Sequence, residues 1–471
     1  MLDTAKQTAT EFPAGLSKLQ KIAAVIMGAF LMGTLWRFRG ENGWGASWGL
    51  LTVGVIYLMF VFAIFGFRRK VNFLLFSLTA LSFMLTTPGW GTLNSQITGV
   101  LTSGVDTGTG MLKIFINPFS GVFIMLCLGF GLASIFAFMI GRFFSGRQYS
   151  FKDLLIVLIV FFAVQYTARL TVAHLILNLV QPQAGELFQR GLDIAGIKDT
   201  PWHFYLTHLF DKNFAKTIHG GRNYITSADM IGNAIAAFGV WLTVRFGFKD
   251  KIAGSIMFGI CASYAFAITF ADLSLFFESG GYHMAHTYDL LFKLSGWGMW
   301  EYFTGFFAGG LITLILVRQP FDRLLASKDI VDTVMPKPSS KLYGLLNFAA
   351  TFIVVLSVIL IRPLAGRYDG SKAFIPVYIA SSAFFLILAV ITAIKKGVNL
   401  QSVNFQRFCV YAMPVYLGAS ACIYLFAGMQ GNQNFRSIGA VANILVMTSC
   451  AVVAVLYPVI FKKGNVRNLK K

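Results

Sequence analysis

Apolar positions along the chain neither alternate nor form narrow helical stripes; they come in unbroken blocks of about the length an α-helix needs to cross a hydrocarbon core. Ile22 to Trp36, Trp48 to Phe65, Ile252 to Phe270 and Ala373 to Ile394 are examples. Breaking the pattern at charges and at Gly or Pro predicts spans near 20–36, 47–66, 71–88, 117–141, 153–180, 228–246, 252–274, 297–317, 342–361, 373–394, 408–427 and 437–461. The expected fold is therefore an all-α, polytopic integral membrane protein of about twelve transmembrane helices. The stretch 91–112 is too polar to face lipid, which makes it an outer loop or a re-entrant segment packed against protein.

Composition strengthens this picture. Of 471 residues, 56% are hydrophobic and 12% charged, about half the charge of a soluble domain. The apolar run after Lys18 and Lys21 imitates a signal peptide, but it ends in Trp36-Arg37-Phe38-Arg39 without a small-residue cleavage site and reads as a retained span. Cys127, Cys261, Cys409, Cys422 and Cys450 all lie in apolar stretches without CxxC spacing, as small buried hydrophobes do.

Charge then predicts orientation. With the N-terminus inside, the cytoplasmic segments hold 25 of the 39 Lys and Arg, the pattern that resists translocation. Both termini are expected in the cytoplasm and the protein in the plasma membrane, with the lipid bilayer as its main partner. The net charge of +20 is mostly this orientation signal and needs no nucleic-acid partner. The charged, Pro-containing loop 318–341 is expected to link a functional membrane domain, 1–317, to a supporting one, 342–471.

Polar residues gather at the expected outer ends of spans one to eight. Four segments there look alike: Arg39 to Gly49, Gly89 to Gly99, Arg222 to Gly232 and Gly296 to Gly305. Gly-Trp-Gly occurs at 43–45, 89–91 and 296–298. Repeated helical hairpins are one reading, because transporter folds often contain repeats; interfacial Trp and close-packing Gly are the plainer one.

Within span five, Thr167, Thr171, His174 and Asn178 form one expected polar stripe, and Gln165 with Arg169 a second on another face. Arg169 lies about 25 Å along the helix from Lys152, in the outer third. Ionisable residues at such depth mark a pathway, a site or a buried pair. Arg39, Glu41, Trp44, Arg169, Arg222, Asp229 and Trp297 are the candidate substrate-binding set, since Arg holds carboxylate or phosphate and Trp offers a stacking face. His174, Asp272 and Glu301 are the candidate acid–base groups, carboxylates beside the apolar layer being able to exchange protons near neutral pH. His283, His286 and Asp289 could line one side of a helix as metal ligands, although the spacing matches no zinc signature. The segment 181–221, amphipathic over 201–216, reads as a lid or a structural cover.

No Walker A motif or nucleophile elbow is present, and the sequence specifies no cofactor. The first expectation is a carrier for a polar, anionic or polyhydroxylated solute. The alternative is a membrane-embedded transferase working at the extracytoplasmic face on a lipid-linked or acyl donor. A scaffold or sensor would leave the buried charges without a role.

Overall fold

The structure, a computed structural model, describes residues 16–41, 47–65, 99–103, 112–145, 149–209, 211–276, 297–319 and 440–461, together with positions 79, 82, 83, 97, 110 and 147. Its helices are α1 Lys18–Glu41, α2 Ser47–Phe65, α3 Pro118–Leu132, α4 Ser134–Phe143, α5 Phe151–Leu170, α6 Val172–Val180 and α7 Pro182–Ile194. They continue with α8 Pro201–Thr207, α9 Lys212–Ala215, α10 Gly221–Leu242, α11 Lys251–Phe276, α12 Trp297–Val317 and α13 Ala440–Phe461. Eight of the expected spans coincide with these helices. Those near 71–88, 342–361, 373–394 and 408–427 lie outside the described residues apart from isolated positions, as does nearly all of the 318–341 linker. Among the described residues, five helices are long and apolar enough to cross a membrane, and the pair α3–α4 makes a sixth if its 47° bend lies within one span. The protein is a helical, multi-pass membrane protein.

Two departures from the expected all-α pattern stand out. Part of the polar stretch 91–112 forms a hairpin in which β1, Val100–Thr102, pairs antiparallel with β2, Lys113–Phe115. The hairpin is tied to the start of α10, where the Asn223 side-chain amide donates to the Thr102 carbonyl and the Gly220 N–H to that of Ser103. The expected span five is also two helices, because the backbone turns away from helical angles at Thr171 (φ −133°, ψ −90°).

Local sequence explains several helix starts. Asn117 accepts the Phe119 N–H ahead of Pro118, which suits a first helical position. Ser150 and Asp153 form a reciprocal capping box for α5. Asp250 accepts the Ile252 and Ala253 N–H groups at 3.1 and 2.9 Å, while its other oxygen takes the Tyr149 hydroxyl at 2.7 Å and that of Ser145. This clamps the loop before α5 to the loop before α11 at the end of the bundle predicted to be cytoplasmic. Burial, and then the adjacent carboxylate, push the Tyr149 phenol well above its ordinary range.

The helices pack in a row of neighbours. α1 lies against α2, α12 and α13; α12 against α11; α11 against α3 and α4; α3 against α10; and α10 against α5. Glycines permit the closest approaches. A Cβ on Gly305 would collide with the Met32 carbonyl, one on Gly309 with that of Gly28, and one on Gly28 with the Thr313 hydroxyl. α1 and α12 thus run antiparallel, backbone to backbone, as small residues allow in lipid. The expected supporting domain contributes α13, which joins the same unit: Tyr302 hydrogen-bonds Ser449 at 2.8 Å, and the Gln20 amide donates to the Ile460 carbonyl at 3.3 Å. The start of α1 and the end of α13 therefore sit at one end of the bundle.

Candidate functional site

Two buried polar clusters occupy the opposite end, which the charge pattern assigns to the outside. The first joins α5, α6, α8 and α10. Arg169 Nε stands 3.3 Å from Asp229 Oδ1, and its Nη2 donates to Asn233 Oδ1 at 2.7 Å. The Gln165 amide donates to the same Asn233 oxygen. Tyr205, from α8, donates its hydroxyl to Asp229 Oδ1 at 3.0 Å. Burial first, and then the Asp229 charge, push this phenol well above its ordinary range, so it is a neutral donor.

His174 completes the cluster. It is 1% exposed, its Nδ1 lies 3.0 Å from the Tyr224 hydroxyl, and its ring stacks on Tyr224 while meeting Tyr205 edge-on at 4.7 Å. The break at Thr171 puts it there. Gln165 and His174 are nine residues apart, about two and a half turns, so an unbroken helix would point them to opposite faces. With the break, the buried face runs through Gln165 and Ala168 in α5, then Ala173, His174 and Leu177 in α6. The expected stripe of Thr167, Thr171, His174 and Asn178 is thereby corrected: Thr167, Thr171 and Asn178 are exposed, and only His174 turns inward. The Leu170 carbonyl at the break accepts the Trp202 indole N–H at 3.2 Å, so α8 helps to hold the break open.

The second cluster joins the ends of α1 and α11 to the start of α12. Arg37 and Arg39 share Glu301, one on each carboxylate oxygen, at 4.0 and 3.7 Å. The Arg39 guanidinium also lies 4.8 Å over the Trp36 ring. Burial weakens the hold of Arg39 on its proton, against the pull of Glu301. The Arg37 guanidinium sits directly on Gly298, where a Cβ would come within 2.9 Å of its Cζ. Asp272 lies close by in the chain of contacts but outside this ion set. It is fully buried, with the Trp300 indole and the Ile97 backbone facing its carboxyl.

The clusters share a plan. In each, one helix carries Arg at its C-terminal end (α5, α1), and an antiparallel partner carries an acid one turn before a glycine (Asp229 and Gly232, Glu301 and Gly305). A Cβ on Gly232 would meet Arg169 Cγ at 2.5 Å, and one on Gly305 the α1 backbone at Met32.

Of the other candidates, Arg222 stands half-buried in the first turn of α10, two turns from Asp229. Glu41 ends α1 and Trp297 begins α12, with side chains outside the described residues. Trp44, His283, His286 and Asp289 lie outside them altogether; among the described residues no group of His, Cys, Asp and Glu is placed to hold a metal ion. Sequence reasoning missed Tyr205, Tyr224 and Asn233. A Tyr or Trp at a helix end looks the same in sequence whether it anchors to headgroups or lines a cluster. The chain matches no protein-family model, no curated protein and no solved structure.

Proposed function

We propose that this protein is a membrane-embedded transferase that works at the extracytoplasmic ends of its helices on a lipid-linked or acyl donor. The observation that supports this most is one-sidedness. Arg37, Arg39, Glu301, Arg169, Asp229 and Asp272 all lie in the outer half of their helices, and among the described residues the inner halves carry charge only at their ends. A carrier that alternates access keeps its site near the midplane; an enzyme with a substrate in the outer leaflet needs its polar groups at that level.

In this reading Arg169, held by Asp229 and Asn233, offers its guanidinium to the anionic part of the donor. Arg37, Arg39 and Glu301 tie α1 to α12 at the other flank of the row. His174, oriented by Tyr224, accepts a proton from the attacking hydroxyl and returns it to the departing group, and Tyr205 bridges from its ring to Asp229. Arg169→Gln is then expected to raise KM for the donor, and His174→Ala to lower kcat by about 10²–10⁴-fold, the usual worth of a general base. The assay is product formation from a labelled membrane-lipid extract by purified protein in detergent, where no gradient exists.

The carrier reading draws support from the break at Thr171 and the bend at Ala133, because interrupted helices are common in carriers. Solute flux into sealed vesicles, with no turnover in detergent, would overturn the transferase in its favour.

A further inference from the structure

His174 is the proposed proton acceptor, yet it is closed off, and what closes it tells where its substrate comes from. Three rings surround it: Tyr224 from α10 and Tyr205 and Trp202 from α8, the Trp202 centroid 6.0 Å away. Tyr205 and Tyr224 are fully buried, whereas Trp202 is 44% exposed and is thus the outermost of the three. The surface beside it belongs to α6, whose outward residues include Val172, Leu175 and Leu179, the last two 64% and 83% exposed. A half-exposed Trp beside exposed aliphatic side chains at the outer end of a span is the composition of a surface facing acyl chains just below the headgroups. A route to His174 from water would instead be bordered by charge, and the charged residues of this cover stand on α7, on the loop after it and on α9, with Asp199 paired to His203 of α8.

We infer that the seam between α6 and α8 is a side door to His174 that opens on the outer leaflet, with Trp202 as its leaf, so that the substrate is an acyl-chain-bearing lipid arriving through the bilayer. This rests on the transferase reading and narrows its substrate class. The door has a defined latch, the Trp202 indole bond to the Leu170 carbonyl, and a hinge position, Gly196, which has positive φ and open space around it. When Trp202 swings away, the latch carbonyl of Leu170 is left at the rim, where a lipid hydroxyl or amide can replace the indole.

The test uses the full-length protein in vesicles of brominated phosphatidylcholine. Difference fluorescence between wild type and Trp202→Phe isolates this residue from the other seven tryptophans. The expected result is strong quenching of Trp202 by brominated acyl chains and little by aqueous iodide. Quenching by iodide alone, or protection from both by a second copy, overturns the door. A second measurement follows carbethoxylation of His174 by diethyl pyrocarbonate, resolved by peptide mass spectrometry. Removing the leaf and latch with Trp202→Ala is expected to speed this labelling about tenfold, a population shift of local opening; an unchanged rate overturns the gate. The two readings fail separately. Turnover that survives His174→Ala removes the transferase and leaves the quenching intact, whereas absent quenching removes the lipid route and leaves turnover intact.

Discussion

At the scale of single residues, the outer clusters place different demands on their acids. Asp229 is bound by Arg169 and Tyr205, so Asp229→Ala leaves a largely buried guanidinium without its counter-ion, with the Asn233 oxygen as a neutral acceptor. It is expected to cost about 3 kcal/mol, near the low end for breaking a buried pair. Adding Arg169→Leu should recover much of that loss in a thermal-unfolding assay. Asp272 has no ion-pair partner among the described residues; its carboxyl is faced by the Trp300 indole and the Ile97 backbone. Asp272→Leu forfeits both contacts and is expected to lower stability by about 1–3 kcal/mol through the groups left unpaired; an unchanged unfolding temperature would show that neither contact contributes. The Tyr149 phenol, held above its ordinary range, contributes stability that is fully present below about pH 10, the unfolded value, and fades as pH rises through the folded one. Tyr149→Phe should lose about 1 kcal/mol near neutral pH, the worth of its bond to Asp250, and should show a flatter loss of stability at alkaline pH. In the sequence, Arg169, Asp229 and His174 were legible because charge at membrane depth is rare. Gln165 was legible beside Arg169 as the second stripe, and both donate to Asn233; Tyr205, Tyr224 and Asn233 were not, because hydroxyls and amides are ordinary at helix ends.

At the scale of elements, apolar length located the helices well but could not show where one stops being straight. Thr171 is neither Pro nor Gly, and nothing in the pattern from 153 to 180 marks it. The interruption is a tertiary effect, sustained by an indole from α8 that arrives thirty residues later in the chain. The sequence stripe failed for that reason: periodicity assumes an unbroken screw axis. Glycine spacing was more informative than it first looked, since Gly28, Gly305 and Gly309 mark contacts of backbone on backbone. Gly305→Leu is expected to push α1 and α12 apart and to separate both arginines from Glu301. The readout is loss of a disulfide engineered across this helix pair, with Gly310→Ala, where the nearest neighbour of the added Cβ is 3.2 Å away, as a milder control.

At the scale of the whole molecule, the row α1–α12–α11–α3–α10–α5 has an Arg–acid unit at each flank and two helices between. The Gln20–Ile460 bond sets the start of α1 and the end of α13 level with each other. Cysteines placed at residues 18 and 461 should therefore respond alike to a membrane-impermeant thiol reagent, and opposite to one at Lys198; unlike responses at 18 and 461 would refute the arrangement. The α1–α12 contact also sets a schedule for assembly. About 250 residues separate the two helices in the chain, some 10–50 s of synthesis at 5–20 residues per second. For that interval α1 sits in the bilayer with Gly28 uncovered and two arginines lacking their counter-ion. A half-finished helix pair thus waits in the bilayer, and Glu301→Gln, which withholds the counter-ion for good, is expected to lower the yield of inserted protein as measured by immunoblot of membranes.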